Sequence, residues 1–135
     1  MTVEDTLAQV QLAGQLVTGH GFAGDGRTYE VVIEMTGPSP EGEGEAALAT
    51  TTLLFTRCVE VHYAVHPSTI LEDLVCATAK GELRLAPNDR WSDALGMPMH
   101  YAELTTTAYD LALVFGGVEV SSIPRQADWV GGAQS

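Results

Sequence analysis

The chain has 135 residues, of which 45% are hydrophobic, and its 18 acidic residues outnumber its 6 Lys and Arg residues to give a formal net charge of −12. This length and hydrophobic content are typical of one globular domain and exclude a disordered chain. No apolar run reaches the roughly 18 to 20 residues that span a membrane. The negative charge repels phosphate backbones and argues against nucleic-acid binding, whereas it suits solubility or a basic protein partner.

The N-terminal stretch MTVEDTLAQVQL does not resemble a signal peptide, because two acids come early and no basic region precedes an apolar core. A cytoplasmic location is therefore expected. Cys58 and Cys76 are too few for a disulfide framework. We expect two reduced, buried thiols, with a bridge between them as the alternative.

The first third of the chain predicts two strands and two connections. Residues 6–18 fit either a strand that is interrupted at Gly14 or a short helix that leads into a strand. The glycines of 20–26, HGFAGDG, predict a turn, and the clean alternation of 28–36 predicts a strand. The stretch 37–45, GPSPEGEGE, contains no apolar residue and is expected to be a mobile surface loop.

A long strand is predicted to begin near Ala47 and to run to Val65, with a bulge or bend near Thr51 or Arg57 because strands of that length are rare. Its second half, residues 53–66, reads LLFTRCVEVHYAVH and alternates with the two-residue period of a strand. One set of side chains is apolar except for Arg57 and is expected to face the core. The other set is mixed and is expected to present Cys58, Glu60, His62 and His66 on the opposite face.

A short helix is predicted to begin at Thr69 and to end before Gly81, because Thr69 and Glu72 have the spacing of a capping box. A strand over 74–79 is the competing prediction. The segments that follow predict a short strand over 81–87, a helical turn over 91–95, and strands over 99–106, 109–115 and 118–123, with turns near Ala108 and at 116–117. A partly disordered tail is predicted over 124–135.

These elements predict a single domain over residues 1–135 in the α+β, β-rich class. The pattern contains six or seven strands, one or two short helices and no βαβ rhythm. Either a single antiparallel sheet or a sandwich-like domain is therefore expected.

The strongest metal candidate is the mixed face of the strand over 53–66. Alternate residues on one strand face lie about 6 to 7 Å apart, so two of Cys58, Glu60 and His62 can reach one ion. His20 or His100 would have to complete the site through the fold. No CxxC, HxH or HExxH spacing supports this hypothesis. The preferred interpretation is structural, with Cys58 in an apolar niche and no cofactor.

The sequence supports a nucleophilic site, a phosphate-binding loop or an aromatic contact surface less strongly than the metal candidate. The sequence has no GxSxG motif for a nucleophilic serine. HGFAGDG lacks the lysine of a phosphate-binding loop and precedes a strand, so it is interpreted as a turn. Among the aromatic residues, Trp91 and Trp129 lie in the less regular segments and are the candidates for contact with a partner.

Five segments of the chain, taken in order, resemble the YxiG-like domain family. They are HGF at 20–22, RTYEV at 27–31, LLFTRCVE at 53–60, RWSDALGMPMH at 90–100 and LALVF at 111–115. The resemblance covers about residues 20–123 and implies a small bacterial family, frequent in actinobacteria, without an assigned activity or catalytic residues. It also implies an association of the name-giving group with the immunity regions of polymorphic toxins.

The leading hypothesis is a non-enzymatic, acidic protein-binding module, immunity-like towards a basic protein or toxin. One alternative is a metal-dependent or small-molecule enzyme that uses Cys58, Glu60, His62 and a loop histidine such as His20. The other alternative is a structural homo-oligomer in which strand edges pair between copies.

Overall fold

The computed structural model describes residues 2–10, 12, 14–38, 45–67, 77–78 and 83–124. Most of the helix predicted between Thr69 and Gly81, and the tail predicted beyond Pro124, lie outside the described residues. The centre of the loop predicted over 37–45 lies outside them too, as do Cys76 and Trp129.

The described residues form two helices and nine strands. The helices are α1 (Val3–Ala8) and α2 (Asp89–Leu95). The strands are β1 (Leu16–Phe22), β2 (Tyr29–Pro38), β3 (Glu45–Thr56), β4 (Glu60–Val65), β5 (Ala77–Thr78), β6 (Arg84–Pro87), β7 (His100–Thr105), β8 (Tyr109–Phe115) and β9 (Gly117–Pro124). The predicted β-rich class is confirmed.

The strands form two antiparallel sheets that share one core. Sheet A has the order β5-β1-β2-β3-β9, and sheet B has the order β4-β8-β7-β6. The prediction of a single sheet is wrong, because both sheets have a buried apolar face that must pack against another layer. The core between them includes Val31, Ile33, Leu53 and Phe55 of sheet A and Leu104, Leu111, Leu113 and Phe115 of sheet B.

The N-terminal segment forms a helix that leads into a strand, which was one of the two predictions for residues 6–18. α1 begins with a capping box, in which the Thr2 side chain accepts a hydrogen bond from the Asp5 N–H at 3.0 Å and the Asp5 carboxylate accepts one from the Thr2 N–H. Leu7 and Leu12 anchor this segment in the core.

Two predicted connections are shorter than expected. The last three residues of β1, at 20–22, pair with the first residues of β2, so the turn predicted over 20–26 falls at 23–28 instead. Asp25 holds that turn, since its Oδ1 accepts hydrogen bonds from the Arg27 and Thr28 N–H groups. The loop predicted over 37–45 is also shorter, because Pro38 of β2 pairs with Glu45 of β3.

The long strand predicted from Ala47 to Val65 is two strands in different sheets. β3 ends in sheet A, and β4 begins in sheet B after three intervening residues. Arg57 lies between them in the left-handed region, with φ 52°. The predicted bend at Arg57 is therefore confirmed.

The alternation predicted over 53–66 continues beyond this bend, but burial follows it only in part. Leu53 is buried as expected, but Cys58 of the predicted outward set is buried too. Tyr63 and Val65 of the predicted core set are 51% and 38% exposed. Val61, Tyr63 and Val65 still pair with buried residues of β8 and face the core, but β4 is an edge strand that no other described strand covers on its outer side.

The strands predicted over the last third of the chain are confirmed as β6, β7, β8 and β9. The predicted helical turn is α2, which begins where the Asn88 side chain accepts a hydrogen bond from the Trp91 N–H and ends at Gly96, with φ 68°. The helix predicted from Thr69 is wrong at 77–78, where β5 pairs with β1. The competing strand over 74–79 agrees with these two residues.

Candidate functional site

Cys58 is a buried packing residue. Its thiol donates a hydrogen bond to the Glu60 carbonyl oxygen at 3.6 Å, and burial raises the pKa of Cys58 to about 11. A thiolate is the form that binds metal or attacks an electrophile. Because the raised pKa keeps Cys58 protonated near neutral pH, the geometry does not favour either role for it.

Glu60 and His62 lie together on the outer face of sheet B. His62 Nε2 lies 3.0 Å from Glu60 Oε1, and the Trp91 indole N–H donates to Glu60 Oε2. These hydrogen bonds, with that of Trp91 first, lower the pKa of Glu60. Trp91, a predicted partner contact, is partly buried and links α2 to β4 through this hydrogen bond.

The four histidines do not converge. His62 pairs with Glu60, His66 Nε2 lies 3.1 Å from Asp110 Oδ1, and His100 Nδ1 lies 3.8 Å from Glu4 Oε2. His20 packs among tyrosine rings. Within the described part of the chain, no three His, Cys, Asp or Glu side chains are grouped to hold a metal ion. The predicted set of Cys58, Glu60, His62 and His20 is not assembled.

His20 lies in an aromatic cluster at the side of the sandwich where β1 meets β4. A β-bulge between Val17 and Gly19 shifts the register, so that both Val17 and His20 face inward. The ring centroid of His20 lies 4.9 Å from that of Tyr63 and 4.8 Å from that of Tyr109. Its Nδ1 lies 2.6 Å from the Tyr29 hydroxyl oxygen.

Burial explains the protonation behaviour of this aromatic cluster. It lowers the pKa of His20 and raises the pKa of Tyr109 to about 12. His20, Tyr29 and Tyr109 are therefore mostly neutral near pH 7. The rings join the two sheets and hold Tyr63 at the rim, where it is exposed.

The outward side of sheet A forms an acidic face, which consists of Glu30, Glu34 and Glu119 with Val32 and Leu54 between them. Alternate residues of β2 and β3 are buried, so these side chains point away from the core. Glu30 lies opposite Leu54, which lies opposite Glu119, so one row crosses three strands. Glu34 lies on the same side of β2, roughly 13 Å along the strand from Glu30.

Among the described residues, no cation neutralises the acidic face. Strands β1, β2, β3 and β9 contain no Lys or Arg. Among the described residues, none of Glu30, Glu34 and Glu119 forms an ion pair. On the outer face of sheet B, by contrast, Glu103 pairs with Arg84 at 3.7 Å and Asp110 pairs with a histidine.

Two glycines leave part of the acidic face without side chains. Gly21 lies opposite Glu30, and Gly19 lies opposite Val32. A Cβ atom at either glycine would meet nothing within 4 Å. The backbone of β1 is therefore open to close approach from outside the sheet.

Sequence reasoning did not select Glu30, Glu34 and Glu119. The alternation of Glu30, Val32 and Glu34 in YEVVIE was a visible signal for the first two. The position of Glu119 beside them depends on the pairing of β9 with β3, which joins residues far apart in the chain.

No protein-family model matches this sequence, and no curated protein matches it. The resemblance to the YxiG-like domain family therefore stays a prediction. In the described part of the chain, none of the helices has the length and apolar character needed to cross a membrane.

Proposed function

We propose that this protein is a non-enzymatic binding module that uses the acidic face of sheet A to bind a basic protein, as an immunity protein binds a toxin. The observation that carries the proposal is the set of three glutamates that no cation of the described residues neutralises, on strands that contain no Lys or Arg. Such a surface attracts Lys and Arg side chains of a partner.

The shape and composition of the acidic face support a protein partner. Four strands present a continuous surface, in which Val32 lies between Glu30 and Glu34 along β2 and Leu54 lies between Glu30 and Glu119 across the sheet. Gly19 and Gly21 add exposed backbone. Protein interfaces combine apolar and polar side chains in this way. The net charge of −12 accelerates the encounter with a basic partner.

The experiment is affinity capture from host cells, repeated with a charge-matched pair of variants. The face variant carries Glu30→Gln, Glu34→Gln and Glu119→Gln. The control variant carries Glu4→Gln, Asp89→Asn and Asp93→Asn, which change the net charge by the same amount on other surfaces.

We expect one basic protein to bind the wild type and the control variant, and to bind the face variant about tenfold more weakly, because each exposed ion pair contributes up to about 1 kcal/mol. Raising the salt concentration to about 1 M should weaken the wild-type complex, since the Debye length falls to roughly 3 Å. An equal loss of affinity in the face variant and the control variant would contradict the proposal. Binding that does not weaken at high salt concentration would also contradict it.

A further inference from the structure

We propose that the outer edge of β4, which no other described strand covers, binds an extended, arginine-bearing segment of a partner protein, which adds to sheet B as a fifth strand. This site is separate from the acidic face, and the occupant is identified by three features of β4: its backbone, its inner side chains and its outer side chains.

The backbone of β4 offers hydrogen bonds on its outer side. His66 donates its N–H to the Ala108 carbonyl oxygen, and hydrogen-bonded pairs alternate along an antiparallel ladder. The even-numbered residues of β4 therefore bond to β8. The N–H and C=O groups of Val61, Tyr63 and Val65 point to the opposite side, where no described strand pairs with them.

The other sheet edges are better protected than this one. β5 has two residues, and β6 has four, with Arg84 at its start and Pro87 at its end. β9 carries Glu119, ends at Pro124 and lies against α1. Lys, Arg, Pro, short length and a covering helix are the usual protections of an edge. The six residues of β4 contain no Pro, Lys or Arg.

The inner side of this edge requires apolar side chains from the occupant. Tyr63 and Val65 face the interior of the sandwich yet remain 51% and 38% exposed. β1 faces β4 through the contact of His20 with Tyr63, and β5 continues sheet A beyond β1. An added strand would therefore give sheet B the same number of strands as sheet A and cover both side chains.

The outer side of the β4 edge favours a cationic side chain in the occupant. Here an open depression lies over the methyl groups of Ala64 and Ala112, and His62, Glu103 and Asp110 also line it. Ala64 lies directly opposite Asp110, so an added strand would place a side chain beside Ala64 roughly 10 Å from β8, two strand spacings away. A long arginine side chain lies along the alanine methyl group and reaches the carboxylate.

Asp110 retains an oxygen for this contact. Its Oδ1 bonds His66, and no described residue bonds its Oδ2. A second copy of this chain is disfavoured as the occupant, because two copies with a net charge of −12 repel each other. The occupant is therefore an amphipathic extended segment, with apolar side chains on one face and arginine on the other.

The test uses a synthetic peptide of about ten residues, with valine at alternate positions and arginine among the other residues. Its affinity for the full chain is measured by titration calorimetry. Three control peptides replace arginine with glutamate, replace arginine with lysine, or carry N-methyl groups on both edges of the backbone.

We expect the arginine peptide to bind and the N-methylated peptide not to bind, because N-methyl groups remove the donors that pair with β4. The glutamate peptide should bind at least tenfold more weakly, and the lysine peptide should lie between the two. If the N-methylated peptide bound the wild-type protein as tightly as the arginine peptide does, strand addition would be overturned.

Variants of the protein locate the site. Asp110→Asn should weaken binding about tenfold, and Ala64→Leu should weaken it by filling the path to Asp110. The face variant, with Glu30→Gln, Glu34→Gln and Glu119→Gln, should change the affinity less than threefold. If the face variant loses binding and Asp110→Asn does not, the peptide binds the acidic face and the β4 site is wrong.

Light scattering of the free protein tests the rival occupant. We expect a monomer at concentrations at which the peptide binds. A dimer that Val65→Pro dissociates would show that a second copy occupies the edge, and it would overturn the proposal.

Discussion

At the scale of single residues, Arg57 shows how one backbone conformation separates two strands. Its positive φ lets the chain leave sheet A and enter sheet B within three residues. The sequence predicted a bend there because the strand was too long, but it offered no glycine as a signal. The burial of Cys58 comes with this bend, and the exposure of Tyr63 follows from the edge position of β4, so alternation alone could not predict them.

We expect Arg57→Val to destabilise the protein by about 2 kcal/mol, because a β-branched side chain is strained at positive φ. Arg57→Gly should stay within about 1 kcal/mol of the wild type, since glycine adopts this conformation without strain but loses more entropy on folding. Urea unfolding measures both. Arg84→Val, on the surface of β6, is the control and should change stability little. Equal changes in the free energy of unfolding for Arg57→Val and Arg57→Gly would contradict backbone strain as the cause.

At the scale of elements, the sequence predicts the positions of the strands better than it predicts which elements contact each other. The alternation of β2, β7 and β8 is local and is visible in the sequence, because a half-buried strand repeats every two residues. The contact of α2 with β4 is not local. It depends on the hydrogen bond from Trp91 to Glu60, which are 31 residues apart, so local patterns in the sequence could not predict it.

We expect Trp91→Phe to raise the pKa of Glu60, because the indole hydrogen bond stabilises the charged carboxylate and is the largest cause of the lowered pKa. A carboxyl-carbon NMR titration measures it. Arg90→Gln is the control and should raise the pKa less, since its charge is the smallest of the causes. A larger rise in Arg90→Gln than in Trp91→Phe would show that the charge, not the hydrogen bond, holds Glu60 ionised.

At the scale of the whole molecule, charge is the dominant feature. A net charge of −12 places many carboxylates on a small surface, and those of the acidic face have no neutralising partner among the described residues. Their mutual repulsion opposes the folded state, in which they are held closer together than in the unfolded chain. Screening by salt should therefore stabilise the protein.

We expect the thermal unfolding midpoint of the wild type to rise between about 0.01 M and about 1 M NaCl, as the Debye length falls from roughly 30 Å to roughly 3 Å. The face variant should unfold at a higher temperature than the wild type in low salt, and the two should converge in high salt. Calorimetry measures both. A constant difference between them at all salt concentrations would show that packing, rather than repulsion, separates the two proteins.

The sequence by itself determined the β-rich class, the positions of most described strands and the negative charge, because composition and two-residue alternation are local properties of the chain. The tertiary structure decided the number of sheets, the separate positions of the histidines and the row that joins Glu30 to Glu119. It also decided that β4 lies at an edge. Each of these depends on which strands pair, and pairing is set by contacts between residues far apart in the sequence.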